Sequence, residues 1–301
     1  MRIGINVPFR GQDRKLLDGA GVAKRAAMVE AAGLEGIWLG DHLTAMRPDP
    51  LAYLLVAAQA TTTVELGTAI YIVPLRERYD LAQRFVTLQT LAPGRFTFGV
   101  GTGSAEREYE LVGKAFGDRF RMLREDMAVI RAVVEGRPND LPGQPREGPA
   151  WGAEAGQARF VLGAWHSDLQ LRRAAVDYDG WMASAGGLTR VGGWKNMGEA
   201  IKRFRDLGGT RALMGTVNIN LRAPTTKPGP EDPFFLECGP EEATERLGYL
   251  EELGYDDVVV HKTDPSHPIP GMGYMHDFTA EELEEIRSLI PKDSRPPVTA
   301  A

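Results

Sequence analysis

Two of the five histidines in this chain directly follow short apolar runs, where a polar side chain would stand at the end of a buried strand. His42 follows the run Gly36–Gly40 as part of an Asp41-His42 pair, and His261 follows a run that ends at Val260. Imidazole and carboxylate are common general acids and bases near neutral pH. We therefore predict proton transfer by Asp41, His42 and His261 in one pocket. The alternative for each histidine is a purely structural hydrogen bond.

Small residues mark three further strand ends. The segment GVGTGS has glycine at 99, 101 and 103, which lets backbone N–H groups approach a ligand closely. A second run places the small residues Gly67, Thr68 and Ala69 before Ile70, as a strand bulging against a flat ligand would. Gly163 and Ala164 follow another apolar run and are candidates for backbone contacts to a phosphate. At each position, packing alone is the alternative explanation.

Several other chemistries lack their motifs. The histidines do not have zinc-site spacing, and the sequence has neither a G-x-S-x-G elbow nor a P-loop. The glycine turn follows a fourth strand rather than a first one, which argues against a Rossmann dinucleotide site. A hydrolase that uses a pair of strand-end carboxylates stays open, because such pairs leave no local motif.

The elements that must position these residues follow a repeating order of helix, glycine and apolar run. Gly33 illustrates it, because it separates the helical stripe Val22, Ala26 and Val29 from the next run. Eight strands alternating with helices in a chain of this size predict a single closed (β/α)8 barrel, with an open doubly wound sheet as the alternative. The predicted strands are 2–7, 36–40, 65–71, 95–101, 159–164, 179–184, 210–216 and 256–260. Further helical stripes are Leu81, Phe85, Leu88 and Leu91; Phe120, Leu123, Met127, Ile130 and Val134; Met197, Ile201, Phe204 and Leu207; and Ala243, Leu247 and Leu250.

Proline clusters interrupt this order in the loops after strands four and seven. They fall in Gly136–Pro149 and Pro224–Pro240, and we predict insertions there that act as lids or as plain surface loops. A capping box at Thr279 and Glu282 starts a final helix. We therefore expect one barrel domain over residues 1–290 and a flexible tail over 291–301.

Composition excludes several classes of protein. The 301 residues include 35 basic and 41 acidic side chains, and the net charge of -6 offers no field that would attract nucleic acid. No run approaches the roughly 20 apolar residues of a membrane span. The single cysteine, Cys238, cannot form an internal disulfide, which favours a reducing cytoplasm.

The ordered set of motifs resembles the bacterial luciferase-like flavin monooxygenases and their relatives that use the deazaflavin coenzyme F420. The segments that carry the resemblance are GIWLGDH, ELGTAIYIVPLRERYDLAQRFVTLQTLAPGRFTFGVGTGS, AFGDRFRMLREDMAVIRAVVEG, LRRAAVDYDGWMAS and CGPEEATERLGYLEELGYDDVVVH. They extend over nearly the whole chain. The resemblance implies a flavin across the barrel mouth, with Asp41 and His42 near its reactive edge and His261 at a position that is sometimes catalytic.

The resemblance also assigns cofactor contacts. It implies that Thr68, Ala69 and Ile70 form a bulge with a cis peptide at Ala69-Ile70, that Gly101, Thr102 and Gly103 form the glycine turn, and that Gly163 and Ala164 lie at the phosphate. Ser104 is a departure, because F420-dependent sugar-phosphate dehydrogenases have glutamate directly after this turn. The substrate is therefore not carried over.

The activity implied is a monooxygenase that acts on a small organic substrate with reduced FMN, and a separate flavin reductase is the partner that would supply the reduced FMN. The alternatives are hydride transfer with F420 and a non-catalytic flavin-binding subunit. The resemblance also implies a homodimer, and neither a metal, nucleic acid nor a membrane enters the expected function.

Overall fold

The computed structural model describes residues 1–11, 13, 15–44, 47–137, 158–164, 167–184, 193–263 and 275–290. The proline-rich segment 138–149 and the tail 291–301, on which two of the expectations rest, lie outside the described residues.

The strands form a closed parallel barrel. The ten strands of the described residues are β1 (Arg2–Asn6), β2 (Gly36–Leu39), β3 (Glu65–Ile72), β4 (Phe96–Gly101), β5 (Arg159–Gly163), β6 (Gly180–Ser184), β7 (Ala212–Asn220), β8 (Leu236–Glu237), β9 (Asp257–Thr263) and β10 (Met275–His276). Strands β1 to β7 pair in parallel in chain order, and β9 pairs with both β1 and β7. This closure confirms the predicted eight-stranded barrel, and the alternative of an open doubly wound sheet is wrong.

Helices cover the outside of the barrel. They are α1 (Gly19–Ala31), α2 (Pro50–Ala60), α3 (Arg78–Leu91), α4 (Glu106–Leu111), α5 (Arg119–Val134), α6 (Asp168–Val176), α7 (Trp194–Asp206), α8 (Pro240–Leu253) and α9 (Ala280–Ser288). The capping box of Thr279 and Glu282 is present, as predicted. The stripe predictions fail at Leu91, Phe120 and Leu207, which are exposed. Each of the three stands at an end of its helix, beyond the turns that pack on the barrel.

The predicted insertion after β7 contains a short strand of its own. Strand β8 continues the pairing of β7, with Ile219 opposite Leu236, and Cys238 follows it fully buried.

None of the helices that the structure describes has both the length and the apolar character needed to cross a bilayer.

The barrel interior is filled around one large ring. Trp38 belongs to a small buried cluster to which five strands contribute one residue each: Trp38, Val161, Met182, Leu213 and Val259. Three glycines make room for the indole. A Cβ on Gly67 would lie 2.2 Å from the Trp38 ring, and Gly4 and Gly36 would meet its Nε1 at 2.4 and 2.6 Å. The middle of the barrel is therefore closed, and a ligand can enter only from an end.

A network of charges occupies the N-terminal end of the barrel. Arg211 donates to both oxygens of Glu65 at 2.7 and 2.8 Å and to both oxygens of Asp257 at 2.8 and 2.9 Å. Arg2 adds a bond of 2.6 Å to Glu65. These side chains neutralise one another, so this end is a structural closure and the site must lie at the opposite end.

Candidate functional site

A histidine and a buried carboxylate face each other at the C-terminal end of the barrel. His42 stands three residues after β2, and its Nδ1 lies 3.2 Å from Oε1 of Glu108, in the short helix α4 that follows the β4 glycine turn. The backbone N–H and the hydroxyl of Thr44 also donate to this oxygen, both at 3.2 Å. Glu108 is fully buried, whereas the His42 side chain is 30% exposed. The pair therefore links a buried charge to an accessible ring.

The charge of Glu108 fixes how His42 is presented. Burial raises the pKa of Glu108, but the hydrogen bonds and charge from His42 and the hydrogen bonds from Thr44 outweigh it, and the pKa lies below its ordinary value. An ionised carboxylate only accepts hydrogen bonds, so the Nδ1 of His42 is the donor. Nε2 is then the acceptor nitrogen, and it can take a proton while Glu108 stabilises the resulting imidazolium.

Asp41 is turned into the protein. Its carboxylate oxygens accept from Arg76 at 2.5 and 2.8 Å, and one of them also accepts from the Ile72 N–H at 3.0 Å. Burial raises the pKa of Asp41 against the opposing effect of Arg76. A carboxylate occupied in this way positions the end of β3. The catalytic role that the sequence suggested for it stays a prediction.

The third strand bends at the mouth. The Ala69-Ile70 peptide is cis, as the resemblance implied, and the pairing of β3 with β4 shifts register between Thr68 and Tyr71. Thr68 is fully buried and donates to the Gly99 carbonyl at 2.7 Å, so its side chain bonds to β4. Ala69 and Ile70 are half-buried, unlike the rest of the strand, and form a small apolar shelf.

The predicted glycine and phosphate positions adjoin this shelf in different ways. A Cβ on Gly101 would lie 2.5 Å from Ile70, and Gly103 has a φ of +64°, which suits glycine. The carbonyl of Thr102 accepts from the Tyr109 hydroxyl at 2.6 Å. The Ala164 N–H donates to the Met182 carbonyl at 3.2 Å, so it is already engaged and a phosphate would have to use other donors.

Substitution of Gly163 tests the shelf. A Cβ at this position would lie 2.4 Å from Cγ2 of Ile70, a β-branched side chain that cannot swing aside at its far end. We expect Gly163→Ala to displace Ile70 and weaken flavin or F420 binding about tenfold or more in a fluorescence titration. Gly117→Ala is the matched control, because its Cβ would meet nothing within 4 Å. If Gly163→Ala binds the cofactor with unchanged affinity, the shelf of Ala69 and Ile70 is not part of the binding site.

The eighth barrel strand, β9, brings His261 to the same end. Its Nδ1 is buried and has no hydrogen-bond partner in the described part of the chain. Burial and the nearby charge of Arg47 lower the pKa of His261 to about 4, so the ring is neutral at physiological pH. Asn6, at the end of the adjacent β1, likewise has a buried and unpartnered Oδ1. These atoms are available to a ligand.

The pattern of the luciferase-like monooxygenase family matches residues 1–211, more than half of the chain. The protein belongs to this family. The chain thus shares the sequence pattern and the barrel fold of luciferase-like monooxygenases.

Curated relatives of this luciferase-like protein match over a limited segment. An F420-dependent glucose-6-phosphate dehydrogenase of Kineococcus radiotolerans is 38% identical over 122 residues, which are 37% of this chain and 36% of that protein. The 4-hydroxyprotoasukamycin monooxygenase of Streptomyces nodosus subsp. asukaensis is 32% identical over 114 residues, 37% of this chain and 31% of that protein. The chain thus spans about a third of the length of these relatives.

One solved structure shows the same fold over almost the full length. The oxygenating constituent of 3,6-diketocamphane monooxygenase from Pseudomonas putida, in complex with FMN, superposes with a TM-score of 0.69. The match covers 96% of this chain and 97% of that one at 14% identity. It supports the luciferase-like barrel and says nothing about substrate.

The mouth fits a flat tricyclic cofactor of the kind that the family uses. Half-buried residues lie in four of the barrel strands towards this end, and Asn6 and His261 have polar atoms there that lack a partner in the described residues. The half-buried residues are Ile70, Gly163, Ser184 and Thr216.

Sequence reasoning missed two residues of this luciferase-like site. The resemblance pointed to a glutamate directly after Gly103, but Ser104 stands there and Glu108 lies four residues further on. The acidic start of α4, at Glu106 and Glu108, was the available signal. Arg47 lies in the loop after β2 and carried no motif.

Proposed function

We propose that this protein transfers a hydride between coenzyme F420 and the carbon of a hydroxyl or carbonyl group in a small organic substrate. The observation that carries the proposal is the pairing of His42 with buried, ionised Glu108 at the mouth of the barrel. Oxidation of a hydroxyl by hydride loss requires a base for the hydroxyl proton, and this pair provides one. The identity to an F420-dependent dehydrogenase supports the choice of coenzyme.

When bound, the deazaflavin supplies the hydride acceptor. The substrate hydroxyl donates its proton to Nε2 of His42 as the carbon–hydrogen bond breaks, and Glu108 stabilises the imidazolium through Nδ1. The shelf of Ala69 and Ile70 would support the ring, and the contact of Asp41 with Arg76 and Ile72 would hold that strand end in place. The protein thus orients the reactants and moves the proton.

Monooxygenation with reduced FMN is the second candidate. It is favoured by the sequence identity that this chain shares with 4-hydroxyprotoasukamycin monooxygenase, and a monooxygenase solved with FMN has the same fold. In that case a separate flavin reductase would be a partner, and His42 would again handle the proton. For either activity we propose a small-molecule substrate, a homodimer by family resemblance and a cytoplasmic location, the last supported by the single buried cysteine.

Separate titrations of the purified protein with F420 and FMN test the proposal. We expect F420 to bind, and its visible absorbance to bleach under anaerobic conditions when a panel of alcohols is added. Binding of FMN alone, with turnover only in the presence of dioxygen and a reductase, would establish the second candidate instead. A non-catalytic subunit would be indicated if F420 binds but no alcohol reduces it and no carbonyl compound oxidises its reduced form. Binding of neither cofactor would refute both activities.

A further inference from the structure

Arg47 is a cation at the barrel mouth that the proposed reaction does not use. It lies in the loop between β2 and α2, and its Nη1 is 3.4 Å from the place that a Cβ on Gly40 would occupy. The side chain is half-buried, and it makes no hydrogen bond or ion pair within the described part of the chain. Burial lowers the pKa of Arg47, yet a guanidinium keeps its proton in proteins. A partly desolvated charge without a partner is unfavourable unless a ligand completes it.

The surrounding charges leave Arg47 available. Asp41 and Glu108 both act on it electrostatically, but the carboxylate of Asp41 is paired with Arg76. Oε1 of Glu108 is bound by His42 and Thr44, and its buried Oε2 has no hydrogen-bond partner in the described residues. Arg47 also acts electrostatically on His261. Arg47 therefore has carboxylates within electrostatic range, but it forms no hydrogen-bonded ion pair in the described part of the chain.

Two buried polar atoms at the same end provide the second observation. Nδ1 of His261 and Oδ1 of Asn6 are buried without a partner in the described residues. Ile5 pairs with Val260, so Asn6 and His261 are the next residues on adjacent strands. A buried polar group left unpaired costs about 1–3 kcal/mol. A neutral imidazole can donate from Nδ1 to an oxygen of a ligand, whereas the amide Oδ1 of Asn6 only accepts, so it suits a donor group of the ligand and not a carboxylate.

We propose that Arg47, together with Nδ1 of His261, binds a carboxylate of the substrate, so that the enzyme acts on hydroxy acids in preference to neutral alcohols. This inference rests on the proposed function, because it places the reacting hydroxyl at His42. A guanidinium binds a carboxylate through two parallel hydrogen bonds. Arg47 contributes a single positive charge, and the ionised Glu108 acts on it electrostatically, so a monoanion is a better match than a dianionic phosphate.

Matched pairs of ligands test this without requiring turnover. The probes are lactate and mandelate, each compared with the diol in which the carboxylate is replaced by a hydroxymethyl group, propylene glycol and styrene glycol. Dissociation constants are measured by calorimetry at constant ionic strength, on the full chain with and without F420. We expect at least one acid to bind at least tenfold more tightly than its diol.

Variants assign that preference to Arg47. In Arg47→Gln we expect the acid to bind at least tenfold more weakly and the diol to bind as before. Arg47→Lys keeps the charge but loses the two parallel hydrogen bonds of the guanidinium, so its affinity for the acid should lie between those of the wild type and Arg47→Gln. Arg121→Gln is the matched control, because Arg121 is exposed on α5 and its ion pairs among the described residues are with Asp118 and Glu125. It should behave as the wild type.

Three results would overturn the inference. The first is that neither acid binds more tightly than its diol, or that Arg47→Gln keeps the preference. The second is that glycerol phosphate binds the wild type at least tenfold more tightly than lactate does, and that this difference disappears in Arg47→Gln. That result would assign the site to a phosphate ester. The third is that Arg47→Gln weakens F420 binding but not acid binding, which would assign the anion to the cofactor. A failure of both cofactors to bind would instead refute the proposed function, and it would leave the acid preference measurable.

Discussion

Replacing His42 with alanine lowers kcat by about 100-fold or more while leaving cofactor affinity within about twofold, because the variant loses the proton acceptor but keeps the shelf and the glycine turn. The measurement is steady-state F420 reduction beside a fluorescence titration of the same preparation. Free imidazole should restore part of the rate, since the site of the His42 side chain is open to solvent. A normal kcat in His42→Ala would exclude this residue as the base.

Glu108 should act through His42 and not on the substrate. Glu108→Gln keeps the size of the side chain but removes the negative charge that stabilises the imidazolium, so kcat should fall about tenfold to 100-fold with little change in KM. The double variant should be no worse than His42→Ala, because a carboxylate without its histidine has nothing left to assist. Additive losses would show that Glu108 has an independent role. A loss of stability with normal kcat would make it a structural residue.

The barrel was predictable from sequence because its signals are local. The eight barrel strands lie at the predicted apolar runs, and glycine separates some of these runs from the preceding helix, as at Gly33 and Gly254. The two-residue strands β8 and β10 were missed, since pairs of residues have no periodicity. Helix α4 was also missed, because six residues are too few to establish a helical stripe.

The site was predictable only in part, because its contacts join distant residues. The position of His42 at a strand end follows from the pattern, but its partner Glu108 is 66 residues away in the chain. The engagement of Asp41 depends on Arg76 reaching back from the turn that follows β3. Arg47 does not bond to Asp41 because both oxygens of that carboxylate accept from Arg76. Only the folded structure shows which acidic and basic side chains pair with one another.

The largest expected loss of stability is at the other end of the barrel. Arg211 is the cation shared by Glu65 and Asp257, and the side chains of these two acids are only 5% and 7% exposed. Arg211→Ala leaves two buried carboxylates with Arg2 near both of them and Arg159 3.9 Å from Glu65. Removing one partner from a buried ionic network typically costs about 3–5 kcal/mol, and we expect a loss of this size in the free energy of unfolding.

Chemical denaturation of Arg211→Ala and of Arg121→Ala measures this loss against a control. Arg121 also has two acidic partners, but all three side chains are about half exposed, and such pairs contribute at most about 1 kcal/mol. We therefore expect the ionic network of Arg211 to stabilise the folded protein because it is buried, and not because it contains many ion pairs. Equal losses in the two variants would contradict that explanation.

The pH dependence separates lost charge pairing from lost packing. Burial raises the pKa of Glu65, but the charges of Arg211 and Arg2 and the hydrogen bonds from Arg211 and Thr97 outweigh it and hold the pKa well below its usual range. Because the pKa is lower in the folded protein, the stabilisation is fully present above the ordinary glutamate pKa of about 4.3 and is lost as the pH falls below it. In Arg211→Ala the carboxyl of Glu65 can take up a proton at higher pH than in the wild type. The stability difference between the two proteins should therefore shrink as the pH falls from about 6 to about 3, whereas a difference that stays constant over this range would mean that the packing of the arginine side chain, and not its charge, stabilises the barrel.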